Sequence, residues 1–151
     1  MSRVAELRTN LVAALQSISA LVELFGADQT NILAYLDSEN GDLHETIRNA
    51  KGKLLVIWQA RGITGRFPGL RSERFSLIFR HGQPEEVLDA IELGVPTTTT
   101  ASGLALFNET IHAKYHPMSP PVMERRQFLI EQGALFDFWE IQLIFESNRL
   151  E

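Results

Sequence analysis

His112 and His116 stand four residues apart, the spacing at which two imidazoles on one helix face can share a zinc ion. The usual neighbouring glutamate is missing, Pro117 follows, and the surrounding pattern is extended rather than helical. In a strand the two rings would lie about 13 Å apart, too far for one metal. They read as surface polar residues. His44 and His81 have no partner in the sequence and read as structural. Lys53, Gly62 and Gly65 carry the residue types of a phosphate loop, but GxxxxGK[ST] is absent and no helix follows, so a turn accounts for them. The run TTTTASG at Thr97–Gly103 is rich in hydroxyls yet contains no GxSxG elbow. No spacing singles out two carboxylates as an acid–base pair. The chain has no cysteine, which removes thiolate nucleophiles, disulfides and Cys-ligated zinc together. Nothing argues for an enzyme, and no catalytic residue, cofactor or metal ligand is expected.

The remaining chemistry is charge. Arg61, Arg66, Arg71 and Arg74, offset only by Glu73, make one turn region basic in an otherwise acidic protein. A solvated loop is one reading. Contact with an acidic partner is another, since the guanidinium fork suits carboxylates. Nucleic acid is the least favoured, because Phe67 is the one aromatic residue placed there for base stacking. The stretch MSPPVMERR, with Met118, Arg125 and Arg126, reads as a loop, either a lid over the core or a binding strip. Acid is concentrated at residues 27–47 and again at Glu85, Glu86, Asp89 and Glu92, with no lysine or arginine in either stretch. The interface candidates are therefore the four turn arginines, Glu85, Glu86, Asp89, Met118, Arg125 and Arg126.

Length and composition bound the architecture. With 151 residues the chain fits one domain that buries roughly 70% of its unfolded surface. A hydrophobic fraction of 44% and a charged fraction of 22% are those of an ordinary globular protein, and a net charge of −5 speaks against a general nucleic-acid surface. No signal-peptide pattern opens the chain, and no run approaches the ~20 apolar residues of a membrane span. A soluble, cytoplasm-made protein is expected.

The elements follow from periodicity. Val4, Leu7, Leu11, Leu15, Ile18, Val22 and Phe25 recur at spacings of three and four, which predicts one continuous helix from a Ser2 cap to Gly26. Residues 31–36 are short and apolar and stay open between helix and strand. Asp42 followed by Glu45 starts a two-turn helix over 43–50. Residues 53–61, containing LLVIW, and 72–81 predict a hairpin, with Phe75, Leu77 and Phe79 inward and Ser76, Ile78 and Arg80 outward. Pro84 opens a short helix with Val87, Leu88 and Ile91 inward, and Gly94 closes it. Residues 97–103 read as a polar loop, 104–107 are ambiguous, and 110–115 look extended. The last strand, residues 134–147, has Leu135, Trp139, Ile141, Leu143 and Phe145 on one face, and must pair with strands far upstream. The expected fold is α+β, a single domain over residues 1–151, with a mixed or antiparallel sheet of about four strands and helices packed on one side.

This order resembles the tail-terminator and head–tail joining proteins of long-tailed bacteriophages. The resemblance rests on the amphipathic N-terminal helix, the first strand KLLVIWQARG, the strand SERFSLIFR leading to a short helix that ends at Gly94-Val95-Pro96, the extended TIHAKYHPMSPPVMERR and the final ALFDFWEIQLIFE. It covers roughly residues 4–145. It implies a virion subunit that forms a ring, typically a hexamer, at the head-proximal end of the tail tube. Such a ring stops tube growth and gives the head connector its docking surface. The implied partners are other copies of itself, the tail tube protein and the connector or head-closure protein, with no membrane and no sequence-specific nucleic acid, the genome passing through the lumen. The family supplies no cofactor and no catalytic residues. A neighbouring neck protein (head closure or tail completion) and a small ligand-binding regulatory domain are the alternatives.

Overall fold

The computed structural model describes residues 3–36, 41–59, 63–64, 70–93, 116–117, 122–129 and 135–148. Helix α1 (Arg3–Gln16) buries Val4, Leu7, Leu11, Ala14 and Leu15. The expected continuous helix stops there, and α2 (Ser19–Leu24) resumes after a break. Three local interactions explain the interruption. The Ser17 hydroxyl donates to the Ala14 carbonyl at 2.6 Å, an internal competitor for the helical ladder. Ile18 takes an extended conformation (φ −87°, ψ 102°). The Gln16 carboxamide donates to the carbonyls of Gln29 and Ile32 at 3.1 and 2.9 Å, tying the helix end to the chain ahead. Ile18, Leu21 and Phe25 still reach the core, so the apolar stripe survives the break.

Gly26 ends α2 as expected. Its φ of +79° lets the Ala27 N–H reach back to the Val22 carbonyl at 3.0 Å, the six-to-one bond of a Schellman turn. A short 3-10 turn, Gln29–Asn31, then leads into β1 (Ile32–Ala34), which settles the open segment as turn plus strand. Asp42 caps α3 (Leu43–Arg48), accepting from the Glu45 N–H at 3.1 Å. β2 (Leu54–Trp58) and β4 (Leu70–Phe79) form the expected antiparallel pair, Leu54 opposite Phe79 and Trp58 opposite Phe75. β3 (Ile63–Thr64) flanks the start of β4. α4 (Pro84–Leu93) buries Val87, Ala90 and Ile91.

The last strand, β7 (Leu135–Asn148), lies inside the sheet. On one edge it pairs with β4 over ten positions, from Leu70 opposite Asn148 to Phe79 opposite Trp139. Its other partners are β5 (His116–Pro117) and β6 (Val122–Leu129). The main path runs β1-β2-β4-β7-β5, with β3 and β6 beside it. β1 and β2 are parallel, with α3 in the connection between them; the other pairs are antiparallel, so the sheet is mixed. This is the α+β domain that the sequence predicts.

Strand alternation divides the core in two. One face (Ile32, Leu54, Val56, Phe75, Leu77, Phe79, Ile141, Leu143, Phe145) packs under α1, α2 and α4. Trp139 is half-buried against that cluster. The opposite face collects Tyr35, Leu55, Ile57 and Ile78 with Ile47 and Ala50 from the α3 region, and Phe138 packs beside them. Three helices thus lie on one side, and short α3 covers part of the other. Ser76 and Ile78, expected to point outward, are buried on this second face. Residues 122–126, expected as loop, belong to β6. Their charged run Glu124-Arg125-Arg126 hides the alternation because β6 flanks the sheet, where both sides of a strand tolerate charge.

Candidate functional site

The interface candidates do not form one patch. Arg61, Arg66 and Met118 lie outside the described residues. Arg71 holds a β4 position opposite Thr64 and Ser147, and Arg126 a β6 position opposite Phe138. Arg125 is exposed and donates to Asp137 at 2.8 Å across the β6–β7 pair. With side-chain exposures of 58% and 47%, that ion pair is worth little to stability. Glu85, Glu86 and Asp89 line the exposed side of α4, opposite the apolar side that it buries.

Arg74 stands apart. It is half-buried on the second sheet face, between Ser76 and the register partner Ile144. Its Nε is buried with no hydrogen-bond acceptor, the one such side-chain nitrogen or oxygen among the described residues. The adjacent Glu73 cannot serve it. That carboxylate, 5% exposed, faces the other way and accepts from the Trp58 indole N–H at 2.9 Å. Around Arg74 the second face is polar. The Gln59 carboxamide donates to the Ser76 hydroxyl at 2.7 Å, and the Gln142 carboxamide donates to Glu140 at 3.2 Å. Nothing in the sequence marked Arg74 off from its three neighbours. Only the pairing of β2, β4 and β7 does.

His81 proves to have partners that sequence spacing could not reveal. Its Nδ1 accepts from the Gln83 N–H at 2.9 Å, so Nε2 carries the proton and donates to the Leu24 carbonyl at 3.0 Å. It also packs edge-on against Phe25, joining the end of α2 to the start of α4. This is a structural role, as expected. Among the described residues no group of three or more His, Asp or Glu side chains could hold a metal, and no helix is long and apolar enough to cross a membrane. His116 is in β5, and His112 lies outside the described residues.

An open groove of about 400 Å³ runs between α3 and the β1–β2 edge. Leu33, Ala50 and Leu55 contribute apolar surface to it, and Asp42, Glu45 and Lys53 contribute charge. The Tyr35 hydroxyl donates to the Gly41 carbonyl beside it. Asp28, at the turn before β1, accepts from the Thr30 hydroxyl at 2.7 Å and the Thr30 N–H at 2.9 Å. These two bonds, the hydroxyl first, hold its carboxyl below the ordinary value of 3.8.

Fold and surface together define a mixed-sheet α+β domain whose distinctive chemistry is segregated charge. The chain matches no protein-family model, no curated protein and no solved structure with which it was compared.

Proposed function

We propose that this chain is a structural subunit of the neck of a long-tailed bacteriophage, a tail terminator. In this reading copies of it form a ring, typically of six, on the last ring of the tail tube, at the head–tail interface of a virion assembled in the host cytoplasm. The ring ends tube polymerisation and offers the head connector its docking surface.

The observation that supports the reading is the order of elements: an N-terminal helical segment, the β2–β4 pair, an acidic helix and a final strand returning to pair along β4. That order is the one on which the family resemblance rests. The acidic outer side of α4 and the half-buried cation on the opposite sheet face suit contacts between unlike surfaces, which rings require. A net charge of −5 fits a lumen through which nucleic acid passes without being gripped. A head-closure or tail-completion protein of the same neck is the nearest alternative. The α3 groove is the observation that favours a ligand-binding regulatory domain, its volume lying in the range of small-molecule sites.

Electron microscopy of the purified protein, alone and with tail tubes, tests the proposal. A ring with a central hole, capping one end of tubes of uniform length, is the expected result. A strict monomer that leaves tube length unregulated would overturn it.

A further inference from the structure

We infer that the groove between α3 and β1 receives an extended peptide segment of a partner protein, one that carries a basic and an acidic side chain two residues apart. The inference goes beyond the ring reading and does not depend on it. It begins from an open strand edge. β1 stands at the end of the sheet path, with β2 as its one neighbour among the described residues. The Tyr35 N–H bonds the Val56 carbonyl at 2.9 Å, so Tyr35 and, by alternation, Leu33 turn their backbone groups toward β2. Ile32 and Ala34 turn theirs away. The Ile32 carbonyl is taken by the Gln16 carboxamide at 2.9 Å, whereas the N–H and C=O of Ala34 stay at the edge, where a further strand would add.

The groove lies beside that edge, on the second face of the sheet. Leu33 of β1 forms its floor with Leu55 and Ala50, and one side of α3 is its wall. The wall carries opposite charges at its two ends. Asp42 and Glu45 stand at the start of α3, while Lys53, whose N–H bonds the Ala50 carbonyl, follows its end. Seven steps of helical rise, from Asp42 to Asn49, put about 10 Å between these ends. Glu45, Asn49 and Lys53 are exposed, and among the described residues their side chains make no hydrogen bond or ion pair. An incoming chain can therefore reach all three. In an added strand residues i and i+2 project to the same face about 7 Å apart, and long side chains span the difference. A basic residue then meets Asp42 and Glu45, with its aliphatic stem over the apolar floor, and an acidic residue meets Lys53. Backbone bonds to Ala34 fix the register of the pair. A free small zwitterion would use the charges and leave the strand edge idle.

Fluorescence anisotropy of tagged peptides tests the inference on the full chain. The probe is acetyl-Ala-Lys-Val-Glu-Ala-amide, compared with peptides that carry two lysines or two glutamates at the same positions. The mixed peptide should bind at least tenfold more tightly than either. Lys53→Glu should reverse that order in favour of the two-lysine peptide, and Glu45→Gln should weaken the mixed peptide. Asp42 is left in place because it caps α3. Circular dichroism checks the fold, and Lys53→Gln, which should erase the preference for an acidic residue, serves if Lys53→Glu does not fold. An analogue with backbone esters in place of the amides keeps both side chains and lacks the N–H donors, and it should lose at least tenfold. Equal affinity for the three peptides, or an order unmoved by the Lys53 change, would overturn the charge matching. An ester analogue that binds as well as the amide would overturn strand addition and leave a site for small zwitterions. No binding of any peptide at millimolar concentration would overturn the whole inference, while tube capping, measured separately, would leave the terminator reading standing.

Discussion

The two faces of this sheet use alternate residues of the same strands, and they are closed by opposite means. Under α1, α2 and α4 the first face is apolar from Ile32 and Val56 through Leu77 to Leu143 and Phe145, with buried Glu73, bonded by the Trp58 indole N–H, as its polar exception. The second is apolar near α3, where Tyr35, Ile47, Leu55, Ile57 and Ile78 meet, and becomes mixed farther along, with Gln59, Arg74, Ser76 and Gln142 beside Ile144. Apolar burial is non-directional, so the first face can be closed by any helix stripe of the right width. A polar face asks for particular partners at particular distances. The first face therefore carries stability, and the second is where recognition can reside.

Truncation on the first face should break the molecule. Phe75 is fully buried and meets Phe145 edge-to-face at a centroid distance of 6.1 Å. Phe75→Ala should cost about 3–5 kcal/mol in urea unfolding, a large share of a marginal total. The sequence pattern alone assigns Trp139 a comparable cost. Because Trp139 is half-buried, Trp139→Ala should fall below Phe75→Ala. Equal losses would mean that the end of β7 is packed as tightly as its middle.

The second face should show a graded response. Ile78, 5% exposed, sits in its smaller apolar cluster, and Ile78→Ala should cost about 2 kcal/mol, the low end for such a change. Ser76→Ala removes the acceptor of the Gln59 carboxamide. Gln59 is only half-buried and water can replace part of that bond, so about 1 kcal/mol is expected. If Ser76→Ala cost as much as Phe75→Ala, the polar region would be a stabilising network and its assignment to recognition would fail.

The same contrast decides how much could be read in advance. Wherever one period dominated, the sequence was legible: α1, the β2–β4 pair, the Pro84 start of α4 and the odd face of β7 all follow from apolar spacing. It failed where side chains bonded the backbone or where a strand served two masters. The helix break depends on Ser17 and Gln16 bonding carbonyls, which leaves the apolar stripe intact and therefore invisible. β6 reads as loop because charge interrupts its alternation. The outward face of β4 reads as solvent-facing because Ser76 and Arg80 flank Ile78, and only α3 and β7 reveal that it is covered. Of the candidate interface, the acidic side of α4 was legible as helical charge. Arg74 was not, since its missing acceptor is a fact of three-dimensional packing.

The smallest expected effect lies at the edge strand that serves both faces. β1 gives Ile32 to the first core cluster and sets Leu33 beside the second, and the Asp28–Thr30 turn delivers it. Asp28 is fully exposed, so its two bonds from Thr30 should matter little in size yet leave a readable sign. Its carboxyl is held below the ordinary 3.8, so the folded state binds this proton less readily than the unfolded chain does. The contribution is then complete above the unfolded value and is lost as pH falls through the lowered folded value. Asp28→Ala should reduce stability by a small constant amount at neutral pH, and the difference from wild type should shrink below about pH 4. Asp28→Asn, which keeps a capping oxygen without the charge, should lose less and show no such pH dependence. Urea unfolding of the three proteins between neutral and strongly acidic pH checks this. A wild-type advantage that stayed constant through the acid limb would show that the turn is held by its backbone, and that the two faces meet at β1 without help from Asp28.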